Sequence, residues 1–197
     1  MDNKIDHIIE FWFQGLDDSV TIDKSKEPVS FWFKSSPEFD QTIRDKFEDD
    51  LIKAKNGEYK DWEDTPQGRL ALIVLFDQFS RNIYRGTPKA YEADPLALTL
   101  TLKIIEEQQD VEYQRIFRVF IYMPLMHAED LKIQELSVKT FESLAEEARN
   151  FSSRNALYFE GNLKYARQHC EIIRAHRRFF HRDTIPGDDF IFYPPVP

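Results

Sequence analysis

The sequence predicts an all-α protein, an array of about six to eight antiparallel helices, and three observations predict it. Six segments carry apolar residues at a helical period, Ile5, Ile8, Ile9 and Trp12 being the first. Ser, Thr or Asp followed by Pro opens three of them, and Gly follows two of the expected ends. No stretch alternates apolar and polar residues as a half-buried strand would. At 197 residues the chain is expected to form one helical domain, 1–197, with a non-helical tail from about 183 to 197.

Each element has its own justification. Residues 4–14 form an amphipathic helix that ends in the aromatic triplet Phe11-Trp12-Phe13. A polar loop containing Pro28 leads to a second triplet, Phe31-Trp32-Phe33. Ser36-Pro37 opens a helix whose core stripe is Phe39, Ile43, Phe47, Leu51 and Ile52, and Asn56-Gly57 ends it. Trp62 anchors a loop over 61–64. Thr65-Pro66 caps the central helix, which stops at Gly86-Thr87-Pro88. Asp94-Pro95 caps the next, with Leu96, Leu100, Ile104 and Ile105 facing the core. A helix over 113–122 is expected to break or restart at Pro124, followed by a long amphipathic segment to about Ala148. Asn150 to Arg154 forms a turn. Ala156 to Ile173 is the last helix, with Leu163, Ala166, Cys170 and Ile173 inward.

Composition narrows the class. The chain is 42% hydrophobic and 31% charged, the balance of a folded globular domain, and its 17 phenylalanines make an aromatic core. A net charge of −9 disfavours the broad basic surface of a nucleic-acid binder, so no nucleic-acid partner is expected. The single Cys170 has no intramolecular partner, which suits a reducing, cytoplasmic location. The N-terminal stretch lacks the basic flank of a signal peptide, and no segment is long enough to span a membrane. No cofactor or metal is expected.

Three polar constellations interrupt the apolar pattern. In LALIVLFDQFSRNIYRGTP, an unbroken apolar run turns polar at Asp77, Gln78, Arg81, Asn82 and Arg85. At about 100° per residue these five share an arc of about 140°. In MPLMHAEDLKIQ, His127, Asp130 and Gln134 share a face, while Glu129 points the other way. The third is C-terminal: His169, then Arg178, His181 and Arg182 in a stretch where Lys164, Arg167, Arg174, Arg177, Arg178 and Arg182 face one acid, Glu171. Two half-buried polar faces left apart would each strand unpaired groups at about 1–3 kcal/mol apiece. Asp77, Arg81, His127 and Asp130 are therefore expected to meet, near Arg178, His181 and Arg182.

These segments carry a resemblance. DQFSRNIYRGTPKAYEADPLAL is similar to the hallmark DQFPRNIFRGTP segment of the bacterial domain-of-unknown-function family 924, and YMPLMHAEDLKIQ to its YMPLEHSEDLALQ segment. The N-terminal FWF and the later WF also fit, so the likeness runs to about Arg182. It implies a tetratricopeptide-like, right-handed helical array and brings no activity with it. Ser80 stands where the motif has proline, and Met126 where it has glutamate. In the family's FGRFPHRN segment, Arg178, His181 and Arg182 are kept, while the glycine, proline and asparagine are replaced; Asp188 stands for a following arginine.

Three functions fit these residues. A binding module would hold a small anionic metabolite or a peptide carboxylate with arginine forks at Asp77, Arg81, Arg85, His127, Asp130 and Arg178. A hydrolase-type enzyme would use His127 as general base, oriented by Asp130, with arginines stabilising negative charge. An interaction protein would use the polar residues as structure alone. No phosphate loop, zinc spacing or nucleophile motif separates them, and the pattern is silent on oligomeric state.

Overall fold

Capping side chains and left-handed residues set where the helices begin and end. The computed structural model describes residues 3–32, 36–151 and 154–182. The described helices are α1 (Asn3–Phe13), the single turn α2 (Val29–Trp32), α3 (Pro37–Lys55), α4 (Pro66–Ile73), α5 (Ser80–Ile83), α6 (Asp94–Glu106), α7 (Arg115–His127), α8 (Leu131–Phe151) and α9 (Ala156–His176). No strand occurs among the described residues. Ser36 Oγ accepts the Phe39 N–H to start α3, and Thr65 Oγ1 accepts the Gly68 N–H to start α4. Gly57 and Gly86 take φ of 80° and 73° beyond α3 and α5. Arg177 takes the same left-handed cap after α9, at φ 67°.

Gly68 shows how tightly the start of α4 is built. A β-carbon there would lie 2.8 Å from Thr65 Oγ1 and closer still to the Trp62 carbonyl oxygen. Trp62 cannot yield easily: it is buried in a short 3₁₀ turn and stacked on Tyr59 at 4.1 Å. Gly68→Ala is expected to destabilise the protein by about 1–3 kcal/mol, read as a lower urea midpoint at unchanged slope.

The central helix is continuous but not uniform. Between α4 and α5 the backbone widens into a π turn over Val74–Phe79, where the Ser80 N–H reaches back five residues to Leu75 O. Ser80 Oγ returns to Phe76 O at 2.5 Å. The widened turn carries Phe79 to one side, into an aromatic core. There Trp12 meets Phe79 at 5.4 Å and Phe120 at 5.7 Å, Phe47 meets Phe79 at 4.6 Å, and Trp32 meets Phe120 at 4.7 Å. The Trp32 indole N–H donates to Trp12 O at 2.8 Å. Asp77 and Gln78 are turned instead toward α7. Around this axis α3 and α7 pack on the central helix, α8 lies along α7, and α9 lies along α8.

The structure corrects several boundaries. Pro124 does not break its helix: α7 runs through it to His127, with Val119 to Met126 all buried. The missing proline N–H loses one bond, and the packing around it outweighs that loss. The break comes at Asp130, whose Oδ1 accepts the Ile133 N–H and so starts α8. Ile52 and Leu96 lie outside their stripes at 46% and 41% exposure, because Ala54 and Ala97 take the inward positions. α6 starts at Asp94 itself, with Ala93 as its cap. α8 reaches Phe151, past the expected turn at Asn150. Phe33 and the tail from 183, Asp188 included, lie outside the described residues. No described helix is long and apolar enough to cross a membrane.

Candidate functional site

The site grows from one carboxylate. Asp77 sits in the π turn with no exposed surface. Its Oδ1 lies 2.7 Å from His127 Nδ1, at the end of α7, and its Oδ2 accepts from Gln78 Nε2 at 2.6 Å. Arg81, one turn on, places Nη1 3.3 Å from the same Oδ1 and donates to the Asp77 carbonyl at 2.5 Å. Burial pushes the Asp77 carboxyl up, but His127 and the Arg81 guanidinium outweigh it and hold the group below the ordinary carboxylate range. Asp77 is therefore ionised and can only accept, so His127 carries its ring proton on Nδ1. A neutral imidazole in that tautomer has Nε2 as its acceptor.

A second carboxylate completes the charge balance. Asp94, at the start of α6, receives Arg81 Nη1 at 2.9 Å and Nη2 at 3.0 Å. Arg182 reaches the same carboxylate from beyond α9, with Nη2 3.1 Å from Asp94 Oδ2 and 2.8 Å from the His127 carbonyl oxygen. Both guanidiniums lie against Tyr91, at 5.6 Å for Arg81 and 4.6 Å for Arg182. Burial disfavours the Arg81 cation, yet Asp77 and Asp94 outweigh it. Two arginines thus answer two aspartates, with His127 on the rim of the cluster.

The other sequence-expected residues fall in different places. Asn82 and Arg85 lie past the widened turn and face α3, where both bind Asp40: Asn82 Nδ2 at 2.8 Å, Arg85 Nε at 2.5 Å and Arg85 Nη2 at 2.8 Å. The single arc expected on a straight helix is therefore two clusters. Asp130 is exposed and caps α8; the carboxylate on His127 is Asp77. Gln134 is buried beneath the turn and donates to Met126 O and Ala128 O, each at 2.7 Å, so it braces the backbone on both sides of His127. His169 lies within 2.9 Å of Tyr165 O through Nδ1 and meets Phe179 edge-on at 5.3 Å. Arg178 is exposed, over the Phe180 ring at 5.2 Å. The His181 side chain lies outside the described residues.

Two residues of these clusters were not singled out from the sequence. Asp40 stands on the core-facing stripe of α3 with Ile43 and Phe47, and a carboxylate on such a stripe was the available signal. Asp94 read as a helix cap; only the fold reveals that it faces two arginines.

The arginine forks are consequently engaged within the protein, Arg81 on Asp94 and Arg85 on Asp40. What the cluster offers outward is the half-buried imidazole, held by a fully buried anion. Among the described residues no group of three His, Cys, Asp or Glu side chains is arranged to hold a metal ion.

A solved structure, that of a protein of unknown function from Agrobacterium tumefaciens, is similar to this chain. Its TM-score is 0.72 and its sequence identity 29%, over 91% of this chain and 88% of that one. No curated protein matches the chain. The family model described as a bacterial protein of unknown function (DUF924) matches residues 8–187, and the chain belongs to that family.

Proposed function

We propose that the Asp77–His127 pair is the general-base centre of a hydrolase-type enzyme acting on a small polar substrate. The observation that carries this reading is the 2.7 Å contact between a fully buried carboxylate and an imidazole at the rim. In this role His127 Nε2 takes a proton from an attacking water, and the ionised Asp77 stabilises the imidazolium that forms. The proton then passes to the leaving group, which returns the ring to neutrality. Arg81 keeps Asp77 charged, and Gln134 holds the backbone around His127. The π turn adds support, since such turns concentrate at functional sites.

The test is a panel of small carboxylic and phosphoric esters. Any turnover the protein shows is expected to fall by about 10²- to 10⁴-fold in His127→Gln, with cooperative unfolding retained. Asp77→Asn should lose turnover too and move its pH profile. Turnover indifferent to both substitutions, or absent across the panel, overturns the reading.

A further inference from the structure

Three successive carbonyl oxygens at the end of α7 are each met by a side chain. Gln134 Nε2 donates to Met126 O and Ala128 O, each at 2.7 Å, and Arg182 Nη2 donates to His127 O at 2.8 Å. Carbonyls at the end of a helix have no partner within it, so such donors decide whether the last turn holds or frays. Gln134 comes from the next helix. Arg182 comes from beyond α9, fifty-five residues along the chain.

Arg182 also closes a ring on His127. From the imidazole the contacts run to Asp77 at 2.7 Å, on to Arg81 at 3.3 Å, to Asp94 at 2.9 Å and to Arg182 at 3.1 Å. They return to the backbone of the same histidine at 2.8 Å. The ring and the carbonyl of one residue are thus the two ends of one charged chain of contacts. A second tether lies beside the first: Glu129 accepts the Phe179 N–H at 2.7 Å. Phe179 is 1% exposed and meets His169 edge-on at 5.3 Å. The Arg182 guanidinium lies against both Phe179, at 5.2 Å, and Tyr91, at 4.6 Å. The turn over residues 127–129 is therefore held at both ends by residues 179–182.

We propose that residues 179–182 are a clasp on the Asp77–His127 pair. Seated, they keep the last turn of α7 closed and the imidazole on Asp77; lifted, they free the ring. Arg182 is a positioning residue, and Phe179 with Glu129 is its seat. Seating of this segment then regulates the site. The proposal rests on the general-base reading only for what the imidazole goes on to do.

The experiment measures solvent exchange of the His127 Nδ1–H by nuclear magnetic resonance on uniformly ¹⁵N-labelled protein, with His127→Gln assigning the signal. A proton held on a buried carboxylate exchanges only when the site opens. Arg182→Ala removes a charge-assisted bond and is expected to speed that exchange about 10- to 100-fold. The Ile43 amide, in the core of α3, should keep its wild-type rate. Glu129→Ala alters an exposed side chain and should speed the same proton by releasing Phe179. The double variant should exchange no faster than Arg182→Ala alone, because both changes open one clasp. Exchange unaltered by either substitution, matched by equal acceleration at Ile43, or as fast in the wild type as in the variants overturns the proposal. Ester turnover separates the two readings. Protection lost in both variants, without turnover in the wild type, removes the general-base role and leaves the clasp standing; turnover with protection unaltered does the reverse.

Discussion

Asp77→Ala is expected to lose about 3–5 kcal/mol of stability, the cost of removing one member of a buried ion cluster. Arg81 would keep Asp94 and the backbone carbonyl at position 77 but lose one carboxylate, and the His127 Nδ1–H would face a void. Urea unfolding followed by circular dichroism measures the loss; a change under about 1 kcal/mol would mean that solvent reaches the cluster and replaces the carboxylate. Acid titration gives a second signature. Because Asp77 is depressed in the folded state, the unfolded chain binds more protons below about pH 4. The stability that Asp77 contributes is complete above that pH and drains away as pH falls from about 4 toward about 2. Its size is on the order of 2 kcal/mol, and this part of the acid limb should be missing in Asp77→Asn.

Trp12→Ala is expected to cost about 3–5 kcal/mol as well, for an unrelated reason. Trp12 has no exposed surface, and its ring touches Phe31, Trp32, Phe79 and Phe120. Those partners come from the α2 turn, the π turn and α7, so no single side chain can slide into the space. The two substitutions share no direct partner, and their effects should add within about 0.5 kcal/mol. A large coupling would show that Phe79 transmits strain along the π turn to Asp77.

What the sequence revealed depended on whether a residue's role was local. The starts at Ser36 and Thr65 and the stops at Gly57 and Gly86 are decided within four residues, and they stand where the pattern puts them. So are the stripes built from Ile43, Phe47 and Leu51 or from Leu163, Ala166 and Cys170. The partners of charged groups are not local. Asp130 follows His127 by three residues and shares its helical face in a projection, but the chain turns between them and Asp130 is used as a cap. The carboxylate that binds His127 lies fifty residues away in sequence. The 100° projection also assumed an unbroken α-helix, and the π turn sends Asp77 and Arg85 to different neighbours. Pro124 misled in the opposite direction, since a local rule was overridden by burial on all sides of α7.

Arg182 has a consequence for the order in which the protein is made. Asp77, Asp94 and His127 leave the ribosome long before it, and Arg182 is separated from His127 by fifty-five residues. A nascent chain that has folded α1 to α8 holds Asp94 with one cation instead of two, and its His127 carbonyl lacks the Arg182 donor. Synthesis must pass the left-handed turn at Arg177 before Phe179 can seat and carry Arg182 into place. Stalled or clipped chains ending before that turn would therefore be helical yet unfinished at the cluster around Asp94 and His127.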